Sequence, residues 1–228
     1  MSDVKNDLQV VFMVDDSEVK LTPKIVQEYL VSGDQPITMP EFKMFTELCK
    51  VRKLNPFLKE AYIIKFGKNP ATLVVGKDAI LKRAIKHSKF NGRQQGIIVL
   101  NEKGEVIERN GTFKLTTDTL VGGWAKAYRK DWDFPTYVTV TFDEVAQKKS
   151  DGSLNQNWAS KGATMVEKVA LVRALRETFV EELGGMVDED EVWSNKDLAN
   201  RKTEKEIVHQ SDPLEAVITE KTVSLDEI

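Results

Sequence analysis

Cysteine and histidine are nearly missing from this sequence. Cys49 is the only cysteine, and His87 and His209 are the only histidines. An intramolecular disulfide is therefore excluded, and so are zinc sites built on several cysteines and metal centres built on several histidines. A lone thiol suits a reducing cytosol. Long apolar runs are missing too: none approaches the ~20 residues of a membrane-spanning helix. The opening MSDVKNDLQV lacks a basic start followed by an apolar run, so no secretory signal is expected. No phosphate-binding loop is visible. Val75, Gly76, Lys77 and Asp78 approximate one, but the first glycine and the Ser/Thr after the lysine are wanting. Nucleotide hydrolysis is not expected. HExxH, nucleophile-elbow and EF-hand patterns are also absent. The carboxylates that could pair usefully are Asp131 with Asp133 and Asp143 with Glu144. Asp131 and Asp133 flank Trp132 in a connection, where acids commonly serve the turn.

What is present is charge, unevenly spread. The 228 residues are 41% hydrophobic and 30% charged, a globular composition with a charge-rich surface. The length suits one large domain, or a main domain with a tail. The net charge of −3 hides a segregation. Residues 1–19 carry net −4 and residues 181–228 net −9, leaving residues 20–180 at net +10. A basic body between acidic ends is the footprint of a polyanion binder. A lysine-rich solvated surface gives the same sum, so the positions of the bases must decide.

Local patterns predict an α+β domain with a largely antiparallel sheet and packed helices. Residues 1–19 show no period and read as a mobile arm. A short helix over 23–31 is predicted, N-capped by Thr22 with Pro23 at its first position and ended by Gly33. Thr38 and Glu41 form a capping-box signal for a second helix, whose apolar stripe is Phe42, Phe45 and Cys49 with Leu48. Asn55 and Pro56 stop it. Strands are predicted over 61–66 and 72–75, then a helix over 77–89. A meander is expected from 96–100, 105–109 and 111–116, with turns at 101–104 and at Asn110 and Gly111. Longer strands follow at 121–129 and 136–142, then a helical turn in 143–149. A long helix over 160–183 ends at Gly184 and Gly185. The organisation is thus an arm and short helix (1–35, available for oligomer contacts), a core (36–187) and an acidic tail or docking segment (188–228).

Three constellations carry chemistry. On the 77–89 helix, Ile80, Leu81, Ala84 and Ile85 share one side. Lys82, Lys86 and Lys89 cluster opposite, with Arg83 at the edge and no acid among them. Like charges so placed repel unless an anion neutralises them, which favours phosphate contact. In the 121–130 strand, Trp124, Lys126, Tyr128 and Lys130 alternate with Ala125, Ala127 and Arg129. Interleaved rings and cations suit single-stranded nucleic acid, rings stacking on bases and ammonium groups meeting phosphates. Trp124, beside Gly122 and Gly123, reads better as core; Tyr128 fits core or binding face equally. On the long helix, Arg176 falls inside the apolar stripe of Met165, Val169, Val172, Phe179 and Leu183. Lys161, Lys168 and Arg173 lie at its margins, and Glu167, Glu177 and Glu181 lie on the far face. An arginine so placed must find a carboxylate, a carbonyl or a phosphate. The full candidate set for nucleic-acid contact is Lys65, Lys77, Lys82, Arg83, Lys86, Lys126, Tyr128, Arg129, Lys130, Lys161, Arg173 and Arg176.

Several runs resemble a known family in the right order over residues 38–187. They are Asn55-Pro56-Phe57-Leu58 with Glu60-Ala61-Tyr62-Ile63-Ile64, and Val74-Val75-Gly76-Lys77-Asp78-Ala79. The stretch Leu120-Val121-Gly122-Gly123-Trp124-Ala125-Lys126-Ala127-Tyr128-Arg129-Lys130-Asp131-Trp132 is the most specific. Lys161, Arg173-Ala174-Leu175-Arg176-Glu177 and Leu183-Gly184-Gly185-Met186 complete the pattern. Together they resemble the RecT/Bet single-strand annealing proteins, and the RecT branch of phages or prophages of Gram-positive bacteria most closely. Residues 1–35 and 188–228 carry no matching motif.

The resemblance implies an ATP-independent DNA recombinase, not an enzyme in the covalent sense, in the bacterial cytoplasm. Such proteins coat single-stranded DNA, anneal it to a complementary strand and retain the annealed duplex. They assemble as homo-oligomeric rings or helical filaments and act with a phage 5′→3′ exonuclease. The tail would compete for the DNA groove or dock a host single-strand-binding protein. No cofactor or resident metal is implied, with Mg2+ at most a promoter of annealing. Backbone contacts would hold each strand with its base edges free to pair. Competing readings are a passive single-strand-binding module, a metal-dependent nuclease using Asp131 and Asp133, and a structural protein that binds no DNA.

Overall fold

The structure, a computed structural model, describes residues 8–67, 69–149 and 151–188. It is an α+β fold in which antiparallel pairings dominate. The expected acidic tail lies outside the described residues from residue 189 onward, as do residues 1–7 of the expected arm. Asp188, where that tail was to begin, is buried and pairs with Lys168 at 3.2 Å.

The rest of the arm is a hairpin. Strands β1 (Val10–Val14) and β2 (Ser17–Leu21) pair antiparallel around Asp15, whose φ is 48°. Phe12, Val14, Val19 and Leu21 point into the core. The alternation that places them there, Val10-x-Phe12-x-Val14 and Val19-x-Leu21, has the strand period of two. Flanking acids mask it in composition, which is why the segment reads as an arm.

Helix α1 (Pro23–Tyr29) has Thr22 as its N-cap, the hydroxyl accepting from Ile25 N at 3.2 Å. It ends before Gly33, because Val31–Gly33 extends as β3 and pairs parallel with β4 (Ala61–Lys65). Strand β5 (Thr72–Val75) completes this small sheet, antiparallel to β4. Helix α2 (Met39–Val51) carries the reciprocal capping box of Thr38 and Glu41, and buries Phe42, Phe45 and Cys49. Helix α3 (Lys77–Lys86) is shorter than expected, since His87 is already extended.

The larger sheet has the order β7-β6-β8-β9, from β6 (Phe90–Leu100), β7 (Val106–Asn110), β8 (Thr119–Arg129) and β9 (Thr136–Thr141). β6 begins six residues earlier than expected and bulges between Phe90 and Arg93, near Gly92 with φ 101°. The expected strand over 111–116 does not form. Gly111 instead donates its N–H to the Gln95 carbonyl (2.9 Å), and the connection is held by Asp118, which accepts from Leu115 N (2.9 Å) and pairs with Arg109. A turn held by a buried carboxylate replaces a third meander strand.

After the short helix α4 (Phe142–Val145), helix α5 (Gln156–Thr178) lies across one face of this sheet. It starts earlier than expected, at Gln156 after the N-cap Asn155, whose side chain accepts from Trp158 N (2.9 Å), and it departs from helical geometry at Lys161. The expected single helix breaks at Phe179, and α6 (Val180–Leu183) follows, ending at Gly184 and Gly185. α5 is buried on more than one side. Glu167, expected on the solvent face, is buried and accepts from Gln95 Nε2 at 2.7 Å. Gly123 lets the helix approach: a Cβ there would sit 2.6 Å from the Val166 carbonyl oxygen.

Candidate nucleic-acid interface

Two surfaces gather the candidate cations. The first is a rim formed by the end of α3, residues Ser88 and Lys89, and the end of β8. Lys130 N donates to the Lys89 carbonyl (2.8 Å) and Lys130 Nζ to the Ser88 carbonyl (3.1 Å), so the two chain segments meet there. Lys82 and Lys86 project from the same helix. Within the helix no acid faces them, but the fold supplies acids from elsewhere. Lys82 Nζ lies 2.8 Å from Glu60 and 3.6 Å from Asp15, and Lys86 Nζ lies 3.5 Å from Asp15. Lys86 first, then Lys82, holds the Asp15 carboxyl below the usual carboxylate range. Lys89 pairs with Asp131 at 2.8 Å. Ile85, expected on the buried face, is instead exposed on α3, whose buried residues are Ala79, Ile80 and Ala84.

The second surface is the face of the large sheet opposite α5. The register puts Gln94, Lys126 and Tyr137 in one row across β6, β8 and β9. Lys126 Nζ lies 5.4 Å from the Trp124 ring centre and 4.8 Å from that of Tyr137. Trp124 is core, as its glycine neighbours suggested, and its indole N–H donates to the Arg109 carbonyl at 3.2 Å. Tyr128 is half-buried and donates its hydroxyl to Gln94 Oε1 at 2.9 Å. Tyr137 donates to Glu108, and that carboxylate pushes the phenol up to about 12. Arg93, Gln94, Gln95 and Asn110 line a shallow concavity beside this row.

Several candidates have structural partners. Lys65 is buried and pairs with Glu41 at 2.7 Å. Lys77 faces Glu167 at 3.8 Å. Arg83 donates to the carbonyls of Arg52 and Lys53 beyond the end of α2, the latter at 2.8 Å. Arg129 is buried and donates to Asp131 (3.0 and 3.2 Å) and to the Thr178 carbonyl (3.0 Å). Asp131 is thus shared by Arg129 and Lys89, whose hydrogen bonds hold its carboxyl far below the usual range.

The three long-helix candidates stand apart from the rim's own hydrogen bonds. Lys161 is exposed at the irregular turn of α5. Arg173 reaches Glu144 at 3.3 Å, and Arg176 donates to the Met186 carbonyl at 3.0 Å, the carbonyl solution to an arginine in an apolar stripe. Two surface residues escaped the sequence reading. Asp15 lay in the supposed arm, and Tyr137 becomes visible only through its register opposite Lys126. Among the described residues no group of three or more His, Cys, Asp or Glu could hold a metal ion, and no helix is long and apolar enough to cross a membrane.

A comparison with known families decides the relationship. The RecT family model matches residues 17–207, most of the chain. This chain belongs to the RecT family. Membership implies single-strand annealing in DNA recombination, and with it binding of single-stranded DNA. No curated relative matches the chain. The RecT match opens at Ser17, the first residue of β2, so it takes in one strand of the N-terminal hairpin, both sheets and the long helix.

Proposed function

We propose that this RecT-family protein anneals complementary DNA strands without ATP, holding each strand by its phosphates along the rim at the ends of α3 and β8. Family membership over residues 17–207 carries this reading. The meeting of Lys89 and Lys130 at one edge, with Lys86 ending the helix that leads into it, supports the placement. Their ammonium groups act as point charges that read no sequence, which suits a protein that must accept any strand. Neutralising phosphates on both strands lowers their repulsion, while base pairing supplies specificity and most of the driving energy. The exposed ion pairs with Asp15 and Asp131 are weak enough in water to exchange for phosphate.

A homo-oligomeric ring or filament would join many such rims into a continuous track, with residues 1–35 contributing contacts between copies. The finer roles follow the same reading: a 5′→3′ exonuclease supplies the single strand, and residues 188–228 dock a host single-strand-binding protein or compete for the track. The setting is the bacterial cytoplasm.

The deciding experiment follows the annealing of two complementary labelled oligonucleotides, without ATP, across a salt series. Strong acceleration that fades with salt supports the proposal. Lys86→Ala with Lys130→Ala should weaken binding and flatten the salt dependence, by about 0.7 in log–log slope per lost phosphate contact. Binding without acceleration would make the protein a strand-coating module. No binding at low salt would refute the reading altogether.

A further inference from the structure

Among the described residues the three tryptophans are treated unequally. Trp124 is 4% exposed and Trp158 1%, whereas Trp132 is 45% exposed. Trp132 is nevertheless held. Its backbone N–H donates to the Arg129 carbonyl (3.4 Å), and the Arg129 guanidinium lies 4.8 Å from the indole ring centre. That guanidinium has little freedom. It is buried, bound twice by Asp131 and once by the Thr178 carbonyl, with Glu181 3.6 Å away. One surface of the indole therefore rests on a fixed cation.

We infer that the outer surface of Trp132 is a stacking platform for one unpaired nucleobase of the bound strand. This rests on the DNA-binding reading above and adds to it a base contact that the phosphate rim does not supply.

Three features favour a nucleobase as the occupant. A ring already placed over a guanidinium presents its second face ready-oriented, so stacking there freezes little additional motion. Every base offers a π-face, so the contact tolerates any sequence. Lys130, two residues before Trp132, and Lys89, on Asp131, offer a strand's phosphates two ammonium groups beside the ring, although Asp131, Asp133 and Glu181 balance them in the free protein. Asp131 also gains a meaning: it is the clamp that fixes Arg129, and through Arg129 the platform. Phe134, 83% exposed on the same connection, has no such backing among the described residues.

The test uses the full chain and oligo(dT), with intrinsic tryptophan fluorescence and equilibrium binding read together. Wild-type emission should be quenched on binding. Trp132→Leu should lose most of that quenching and bind roughly 5- to 150-fold more weakly. Its loss should persist at high salt, since stacking releases no counterions, and its salt slope should match wild type. Trp132→Phe should recover part of the affinity. Oligonucleotides carrying 5-bromouracil should cross-link to Trp132 under ultraviolet light. Thermal unfolding of each variant separates a folding defect from a binding one, and the cross-link on wild-type protein needs no variant at all. If wild type binds but Trp132→Leu keeps full affinity and quenching, or the cross-link maps elsewhere, the platform is refuted while the rim stands. If Trp132→Leu changes only the size of the assembly, the ring is a contact between copies and the inference falls. If wild type does not bind oligo(dT), the DNA-binding reading itself falls.

Discussion

The Asp15 carboxylate lies 3.5 Å from the Lys86 ammonium, and it comes from a turn 71 residues earlier in the chain. The same carboxylate lies 3.6 Å from Lys82. An acid from the tip of the β1–β2 hairpin thus sits between two lysines, where the proposed mode of binding puts a phosphate.

Asp15→Asn should therefore bind oligo(dT) about two- to fivefold more tightly at low salt, the size of an exposed ion pair. The gain should shrink as salt rises, with a steeper salt dependence than wild type. Fluorescence anisotropy across a salt series measures both. Unchanged or weaker binding would show that Asp15 does not compete with the strand.

Glu41 links three elements. It caps α2 through Thr38, accepts from Ala71 N at 2.8 Å and pairs with buried Lys65 at 2.7 Å. Burial raises its pKa, but the hydrogen bonds from Lys65, Thr38 and Ala71 outweigh that and lower it from 4.5 to about 2. A depressed carboxylate stabilises the fold fully above its unfolded pKa, and the contribution is lost as pH falls toward the folded value. Glu41→Gln should cost roughly 2–3 kcal/mol at neutral pH. The gap to wild type should close between pH 4.5 and about 2. Urea unfolding at a series of pH values gives both numbers.

Leu21 is fully buried at the end of the N-terminal hairpin. Leu21→Ala should destabilise the fold by about 2–5 kcal/mol, as for other buried leucines. A mobile arm would predict no change. Denaturant midpoints decide, and amide exchange should show protection along β1 and β2.

Gly123→Ala should separate α5 from β8. The new methyl would lie 2.6 Å from the Val166 oxygen and 2.8 Å from its carbon, both backbone atoms that cannot swing away. Overpacking of this kind costs about 1–3 kcal/mol. The substitution changes no charge, so the folded fraction should bind DNA as wild type does. A stable Gly123→Ala protein would mean the helix can retreat freely.

Features with local causes were legible in the sequence. Thr22, Pro23, Thr38 and Glu41 signal their caps within four residues, and the β8 alternation separates Ala125 and Ala127 from Trp124 and Lys126 without reference to anything else. What escaped was set across long separations. Lys82 and Lys86 looked unpaired on their helix because Glu60 and Asp15 come from other elements. Lys65 looked available because its partner is 24 residues away. The parallel strand β3 is three residues long and has no pattern of its own; it exists because β4 offers an edge. The candidate site was visible in the sequence only as a set of cations and rings. Which cation was committed to a carboxylate or a carbonyl was written only in the tertiary fold.

Arg52 donates to the carbonyls of Glu182 and Gly184, 130 and 132 residues further on, and Val75 N donates to the carbonyl of Val187. Helix α2 and the small sheet are thus tied to the last described turns. On a growing chain, α2 and the small sheet emerge long before the residues that close them. The domain can be only partly assembled until its final turn is made, and a nascent chain halted before residue 182 would lack these latches. Such a topology folds slowly and is exposed to association while it waits. For a protein whose relatives work on naked strands, the order of synthesis itself delays a finished basic rim until the whole domain is present.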